Sequence, residues 1–140
     1  MPECPRFHLA IQVDDLQAAG AFYGDVLGCP QGRSSPTWID WDLRGHQFVT
    51  HLAERPTTEV LNPVDGHVVP VPHFGLLLDV DDFHQLAARL RAAGVKFVIE
   101  PYLRFAGEPG EQWTMFVRDP AGNALEFKAF ADDSRVFDAG

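Results

Sequence analysis

Residues 7–28 read FHLAIQVDDLQAAGAFYGDVLG, and residues 73–94 read HFGLLLDVDDFHQLAARLRAAG. In both stretches a histidine opens an apolar segment with the pattern of a β-strand, an Asp-Asp pair follows, and an amphipathic helical pattern ends at a glycine. Each half then closes with a glycine turn and another apolar strand, over residues 45–52 and 122–130. The repeat predicts two copies of one structural unit. Because both copies open with a histidine, it also predicts the beginning of a metal site.

The composition is that of one globular domain. The 140 residues are 46% hydrophobic and 22% charged, which is ordinary for a folded protein with a sizeable core. The formal net charge of -9 argues against nucleic acid or an anionic membrane as the main partner. Cys4 and Cys29 have no CxxC spacing, so neither a disulfide framework nor a zinc knuckle is expected. With no signal sequence and no apolar run of about 18 residues, the expected location is the cytoplasm.

The chain is predicted to fold as two modules in a single domain. The first module covers about residues 6–54, a proline-rich linker follows over about 55–72, the second module covers about 73–130, and residues 131–140 form an acidic, frayed tail. Strands are predicted at residues 7–13, 38–43, 46–52, 73–79, 96–99, 112–118 and 124–130, and loops at 31–37 and 101–110. Helices follow the Asp-Asp pairs at 14–15 and 81–82, which act as N-caps, and end at Gly28 and Gly94.

The polar residues of the predicted strands share one face. The apolar residues of the first and last strands, such as Phe7, Leu9 and Phe127, are expected to pack against the helices. The opposite face then carries His8, Gln12, Gln47, His51, His73, Glu126 and Lys128. A divalent metal needs neutral imidazole nitrogens and a charged oxygen, with its other positions left to water or substrate. This face therefore contains a candidate metal site.

The repeated order of elements resembles the vicinal oxygen chelate superfamily, which includes glyoxalases, extradiol dioxygenases and fosfomycin or bleomycin resistance proteins. The resemblance rests on the βαβββ order, on His8 and His73 at the starts of the modules, and on the closing segment DPAGNALE over residues 119–126. It covers nearly the whole chain. It implies an α+β fold of two tandem βαβββ modules, whose mixed sheets curl into a cup with the helices outside. It also implies metal ligands at His8, His73 and Glu126.

The two modules differ at the position of the last ligand. Aligning Gly45 with Gly122 places Val49 at the position of Glu126. Valine cannot bind a metal, so a site with three protein ligands is favoured. The alternative is a member of the same fold that uses its pocket without metal.

An open site of two histidines and one carboxylate suits Fe(II) holding a bidentate substrate and O2 together, although Mn(II), Ni(II) or Zn(II) would suit the same ligands. The leading hypothesis is an extradiol-type dioxygenase that cleaves a catechol-like vicinal diol. His51 is either the acid or base of this reaction or a lining residue. Candidate substrate contacts are Gln12, Gln47, Arg104 and Gln112, and the loop over residues 102–112 is a candidate lid. His67 is assigned to the surface of the linker, and His46 and His84 are assigned to solvent.

Three other functions stay open. A glyoxalase-like lyase or isomerase normally uses a fourth protein ligand, which Val49 does not supply. A drug-binding protein of the bleomycin-sequestering kind would need no protein-bound metal. A fosfomycin resistance transferase uses a three-ligand site. The resemblance further implies a homodimer acting on a small molecule.

Overall fold

The computed structural model describes residues 4–54 and 59–139. The chain divides into two compact units, Met1–Thr57 with Asp119–Asn123, and Thr58–Arg118 with Ala124–Gly140. The predicted α+β fold with two tandem βαβββ modules is confirmed, because each unit has a four-stranded mixed sheet and a helix that follows the strand paired in parallel within that sheet. Among the described residues, no helix combines the length and the apolar character that crossing a membrane requires.

The sheet of the first unit has the strand order β1-β4-β3-β2. Its strands are β1 (His8–Val13), β2 (Gln31–Ser35), β3 (Trp38–Leu43) and β4 (His46–Leu52). β1 is parallel to β4, and the remaining pairs are antiparallel. Helix α1 (Leu16–Gly20) continues as a π-helix over Ala21–Val26, and the Asp15 carboxylate caps α1 by accepting from the amide of Ala18.

Burial in the first unit follows the alternation of its strands. Leu9, Ile11 and Val13 on β1 are less exposed than His8, Ala10 and Gln12, with which they alternate, as the sequence predicts. The helical segment buries its aromatic residues together with the apolar residues of the sheet, namely Phe22, Tyr23, Trp41 and Phe48. Fully burying one such side chain stabilises the fold by roughly 1.5–3 kcal/mol.

The second unit repeats this arrangement, with the strand order β7-β10-β9-β8. Its elements are a hairpin of β5 (Val60–Val64) and β6 (His67–Val71), then β7 (His73–Phe74), α2 (Val80–Ala92), β8 (Phe97–Arg104), β9 (Gln112–Arg118) and β10 (Ala124–Phe130). β7 is parallel to β10, as β1 is to β4. Helix α2 buries Phe83, Leu86, Ala87 and Leu90, and β10 buries Leu125, Phe127 and Ala129.

Several predicted segments differ from the structure. Residues 31–37 were predicted as a loop, but β2 forms there and pairs with β3. The segment predicted as a linker contains the β5–β6 hairpin, and its residues 55–58 lie outside the described residues. The strand predicted at 73–79 pairs only at His73–Phe74 and again at Leu77. The loop predicted from 101 begins later, because β8 extends to Arg104. Within the tail predicted to be frayed, Asp133–Arg135 form a 3-10 helix.

Two predictions about single residues are wrong. Phe7 was expected to be buried, yet it lies just before β1 and its side chain is 64% exposed. Helix α2 is capped by Asp79, whose carboxylate accepts from the amide of Asp82. Asp81 and Asp82 lie in the first turn instead, where their negative charge is favourable to the helix N-terminus.

Candidate functional site

The tautomer of His73 is fixed by the hairpin that precedes it. His73 opens β7, and its Nδ1 lies 2.7 Å from the carbonyl oxygen of Pro70 on β6. Because a carbonyl oxygen only accepts, Nδ1 is assigned the proton, and Nε2 is left with its lone pair. This is the arrangement of a metal-binding histidine, in which the second ring nitrogen donates to an outer partner.

Glu126 on β10 faces this lone pair. Its Oε1 is 3.4 Å from Nε2 of His73, and its side chain is only 11% exposed. The other oxygen, Oε2, accepts a hydrogen bond of 2.5 Å from the Thr114 hydroxyl. The Nζ of Lys128 lies 3.9 Å from Oε1. Two acceptor atoms thus face each other, which is stabilised when a proton or a cation lies between them.

The backbone beside His73 approaches Glu126 closely. A Cβ atom at Gly75 would lie 1.6 Å from the carbonyl oxygen of Glu126, far inside van der Waals contact. Only glycine fits this position. The pair of donors therefore depends on Gly75 as well as on the two side chains.

The donors of His73 and Glu126 fit a divalent metal. Two ligands at about 2.1 Å from one ion are about 3.0 Å apart at the octahedral angle of about 90° and about 3.4 Å apart at the tetrahedral angle of about 109°. The measured separation of Nε2 and Oε1 is 3.4 Å. Within residues 4–54 and 59–139 no group of three or more His, Cys, Asp or Glu side chains forms a metal cluster. The second unit supplies two candidate ligand atoms for a metal, His73 Nε2 and Glu126 Oε1.

Polar residues of β8, β9 and β10 lie side by side on the face that carries Glu126. Tyr102 pairs with Thr114, and Thr114 pairs with Lys128. Burial, and then the nearby carboxylate of Asp65, raise the pKa of the Tyr102 hydroxyl above its usual value of 10.0. That hydroxyl donates to Asp65 Oδ2 over 3.3 Å.

Arg104 and Gln112, both candidate substrate contacts, pair with each other across β8 and β9. The Nε of Arg104 is 2.5 Å from Asp65 Oδ2, a close ion pair although its N–H is not aligned for a hydrogen bond. Arg104 is therefore engaged by the hairpin. The Gln112 side chain is buried and donates to the Gly110 carbonyl, and its Oε1 has no hydrogen-bond partner among the described residues.

The other predicted site residues lie on one face of the first unit's sheet. His8 pairs with Gln47, and Gln12 pairs with His51, all four being exposed. In this register His8 lies opposite the residue two before Val49, and in the second unit His73 lies opposite the residue two before Glu126. The strand pairing agrees with the alignment of Val49 with Glu126.

The remaining histidines have structural surroundings. His46 was assigned to solvent but is half-buried, and its Nδ1 accepts from the amide of Phe7 over 2.9 Å. It lines a cavity of about 440 Å³ in the first unit, together with Arg6, Asp40, Asp42 and Gln47. The exposed His84 packs edge-on against Trp113, and the exposed His67 lies 5.3 Å from the ring of Tyr102.

Sequence reasoning missed Thr114 and the carbonyl of Pro70. Thr114 shares its strand face with Gln112, so the alternation of β9 carries a signal for it. Pro70 carries no such signal, because its contact is made by the backbone of a segment predicted as a linker.

Comparison with known proteins identifies the family. The profile of the Glyoxalase/Bleomycin resistance protein/Dioxygenase superfamily matches residues 7–127. The chain belongs to this superfamily. The resemblance to the vicinal oxygen chelate fold is thus confirmed. None of the curated proteins compared with the chain matches it.

Solved structures of the superfamily share the fold of the chain. A glyoxalase/bleomycin resistance protein/dioxygenase from Alicyclobacillus acidocaldarius is 34% identical, with a TM-score of 0.78, and the match covers 95% of this chain and 96% of that one. Lactoylglutathione lyase from Agrobacterium tumefaciens is 23% identical, with a TM-score of 0.65 and coverage of 92% and 96%. The fosfomycin resistance protein FosX from Listeria monocytogenes, in a complex with Mn(II) and sulfate, is 15% identical, with a TM-score of 0.70 and coverage of 96% of both chains. The last two similarities concern the fold alone.

Proposed function

We propose that the protein is a metal-dependent enzyme acting on a small molecule that presents two neighbouring oxygen atoms. The supporting observation is the pair of donors in the second unit, where His73 Nε2 and Glu126 Oε1 are 3.4 Å apart and Nδ1 of His73 is held by Pro70. His8 is the proposed third ligand, on the strength of the sequence repeat. A divalent metal bound by these residues would supply a Lewis acid with open positions for substrate.

The proposed reaction is extradiol cleavage of a catechol-like diol with O2, for which Fe(II) is the favoured metal. A site with three protein ligands supports this reaction, because Val49 supplies no fourth ligand and more coordination positions stay open on the metal. The proposed role of His51 is to take a hydroxyl proton from the diol, and its exposed position on β4 leaves the imidazole accessible to a substrate. Gln12 pairs with His51 across β1 and β4 and is a proposed substrate contact.

A second candidate reaction is the opening of an epoxide on an anionic substrate such as fosfomycin. Lys128 favours it, since its ammonium group lies 3.9 Å from Glu126 Oε1 and would attract a phosphonate. This reaction involves no O2 and does not depend on iron. We also propose that the protein is a homodimer in the cytoplasm, and its free cysteines, Cys4 and Cys29, are compatible with a reducing compartment.

Metal analysis of the protein purified without chelator tests the site. We expect about one metal ion per chain in the wild type, and its loss in His73→Ala, Glu126→Ala and His8→Ala. His84→Ala is the matched control, because this exposed histidine lies on α2 against Trp113. Stoichiometric metal that survives both His73→Ala and Glu126→Ala would overturn the site.

Oxygen uptake tests the reaction. Iron-loaded protein should consume O2 with at least one member of a catechol panel, and His51→Ala should slow this by about 10²- to 10⁴-fold while leaving the metal content unchanged. The absence of uptake with every catechol would contradict the dioxygenase. Hydrolysis of fosfomycin by the Mn(II)-loaded protein would establish the second candidate instead.

A further inference from the structure

We propose that Thr114 is a positioning residue that holds Oε2 of Glu126 and so leaves Oε1, the oxygen facing His73, as the atom that binds the metal. The inference rests on the proposed metal site. It concerns contacts within the second unit, between β9 and β10.

The contact follows from the register of the two strands. Thr114 pairs with Lys128, and Glu126 pairs with Phe116, so Thr114 and Glu126 are diagonal neighbours on one face. The hydroxyl of Thr114 donates to Glu126 Oε2 over 2.5 Å, which is at the short end of the range for a bond to a carboxylate. Thr114 itself is only 2% exposed. A buried, β-branched side chain has little rotamer freedom, so the donor is held in place.

This bond assigns different roles to the two oxygens of Glu126. Oε2 is occupied by Thr114, whereas Oε1 faces the lone pair of His73 Nε2 at 3.4 Å. A carboxylate held in this way binds a metal through one oxygen rather than two. The coordination position that a second oxygen would take is then left for substrate.

His73 is held by the same principle. Its Nδ1 donates a hydrogen bond to the carbonyl of Pro70, and its Nε2 keeps the lone pair that would bind the metal. Each of the two donor side chains is therefore fixed from behind by one hydrogen bond. Outer partners of this kind typically contribute about 10- to 100-fold to metal affinity.

The chain offers a matched control in Thr50 of the first unit. Thr50 is fully buried on a strand, and its hydroxyl accepts a hydrogen bond from the indole of Trp41. Thr114→Val and Thr50→Val thus remove the same group from equally buried positions. Only Thr114 contacts a proposed ligand.

The test is a calorimetric titration of Mn(II) into chelator-treated protein. We expect Thr114→Val and Thr114→Ala to weaken Mn(II) binding by about 10- to 100-fold, and Thr114→Ser and Thr50→Val to bind nearly as the wild type does. Serine and alanine at 114 differ only in the hydroxyl, so this pair decides the question even if the valine variant does not fold. The visible absorption of Co(II)-loaded protein should weaken in Thr114→Ala, because a second carboxylate oxygen raises the coordination number, and it should recover in Thr114→Ser.

The outcomes separate this inference from the proposed function. If the wild type binds no Mn(II), both are wrong. If Glu126→Ala abolishes binding while Thr114→Ala and Thr114→Ser both bind as the wild type does, the metal site stands and the role of Thr114 is wrong.

Discussion

Gly75 shows how much one residue decides in the second unit. Any side chain there would begin 1.6 Å from the carbonyl oxygen of Glu126, so the backbone just after β7 would have to shift away from β10. Gly32 on β2 differs, because a Cβ there would meet Asp40 at 3.4 Å. Gly75 and Gly32 thus differ, and the difference lies in the atoms that surround them.

We expect Gly75→Ala to lower the free energy of unfolding by about 2 kcal/mol or more, because the backbone must shift to admit the methyl group. Gly32→Ala should cost clearly less. Urea unfolding followed by circular dichroism measures both. Equal stability of the two variants would show that β7 moves aside without cost.

At the residue scale, alternation alone predicted which side chains share a face. It correctly placed His73 and Glu126 on one face of the sheet and the buried Leu125 and Phe127 on the other face. It did not pair Thr114 with Glu126, since that contact depends on the register between two strands. The sequence offered Arg104 as a candidate substrate contact, and in the structure its guanidinium pairs with Asp65 of the β5–β6 hairpin.

At the scale of elements, the β5–β6 hairpin is attached to the sheet of the second unit by three kinds of contact. Val69 packs in a buried cluster with Ile99 and Phe116. Asp65, in the turn, accepts from Tyr102 and pairs with Arg104, whose side chain is 15% exposed. The hairpin also supplies the carbonyl that orients His73. It therefore supports the candidate site.

We expect Asp65→Asn to loosen this hairpin. Asparagine tolerates the φ of +50° at this position, so the turn is kept while the charge facing Arg104 is lost. A loss of about 1 kcal/mol in local stability would speed amide exchange of residues 60–71 about fivefold. Hydrogen exchange by mass spectrometry measures this.

Glu100→Gln is the control for the hairpin experiment, because the pair of Glu100 with Arg91 is largely exposed and contributes little. Exchange in the hairpin should be unchanged by it. Unchanged exchange in Asp65→Asn as well would show that the apolar contacts of Val69 suffice.

The hairpin escaped sequence prediction because its composition resembles a linker. Pro63 and Pro70 lie within its strands, and proline normally argues against a central strand. Here the two strands pair only with each other, so missing amide donors are tolerated at their outer edges. The prediction failed because proline content reports on hydrogen bonding, not on packing against another element.

At the scale of the whole molecule, a segment far along the chain completes the first unit. The loop over residues 119–123 belongs to it, and Asp119 is buried. Its carboxylate accepts from the amides of Ala121 and Asn123 and, over 2.7 Å, from the hydroxyl of Tyr23. Burial and the adjacent Asp119 raise the pKa of Tyr23 well above its usual value of 10.0.

We expect Tyr23→Phe to cost about 1.5–3 kcal/mol at neutral pH, because it removes a hydrogen bond to a buried carboxylate. Since the pKa of Tyr23 is raised in the folded state, its contribution is complete below pH 10.0 and is lost as the pH rises towards the folded value. The free energies of unfolding of wild type and variant should therefore converge in alkaline solution. Urea titrations from about pH 8 to 11 measure this. Parallel curves would contradict the coupling.

The α+β repeat and the faces of most strand residues could be predicted from the amino-acid sequence, because periodicity and turn residues are local properties of the chain, and the family followed from a resemblance of motifs. The atoms that contact one another are known only from the folded structure. The bond of Thr114 to Glu126 joins two paired strands, the pairing of Asp65 with Arg104 joins the hairpin to β8, and the carbonyl of Pro70 reaches the ring of His73 from the strand before it. Such contacts follow from strand register and from the docking of a hairpin, which are set by the packing of the whole unit rather than by any one segment.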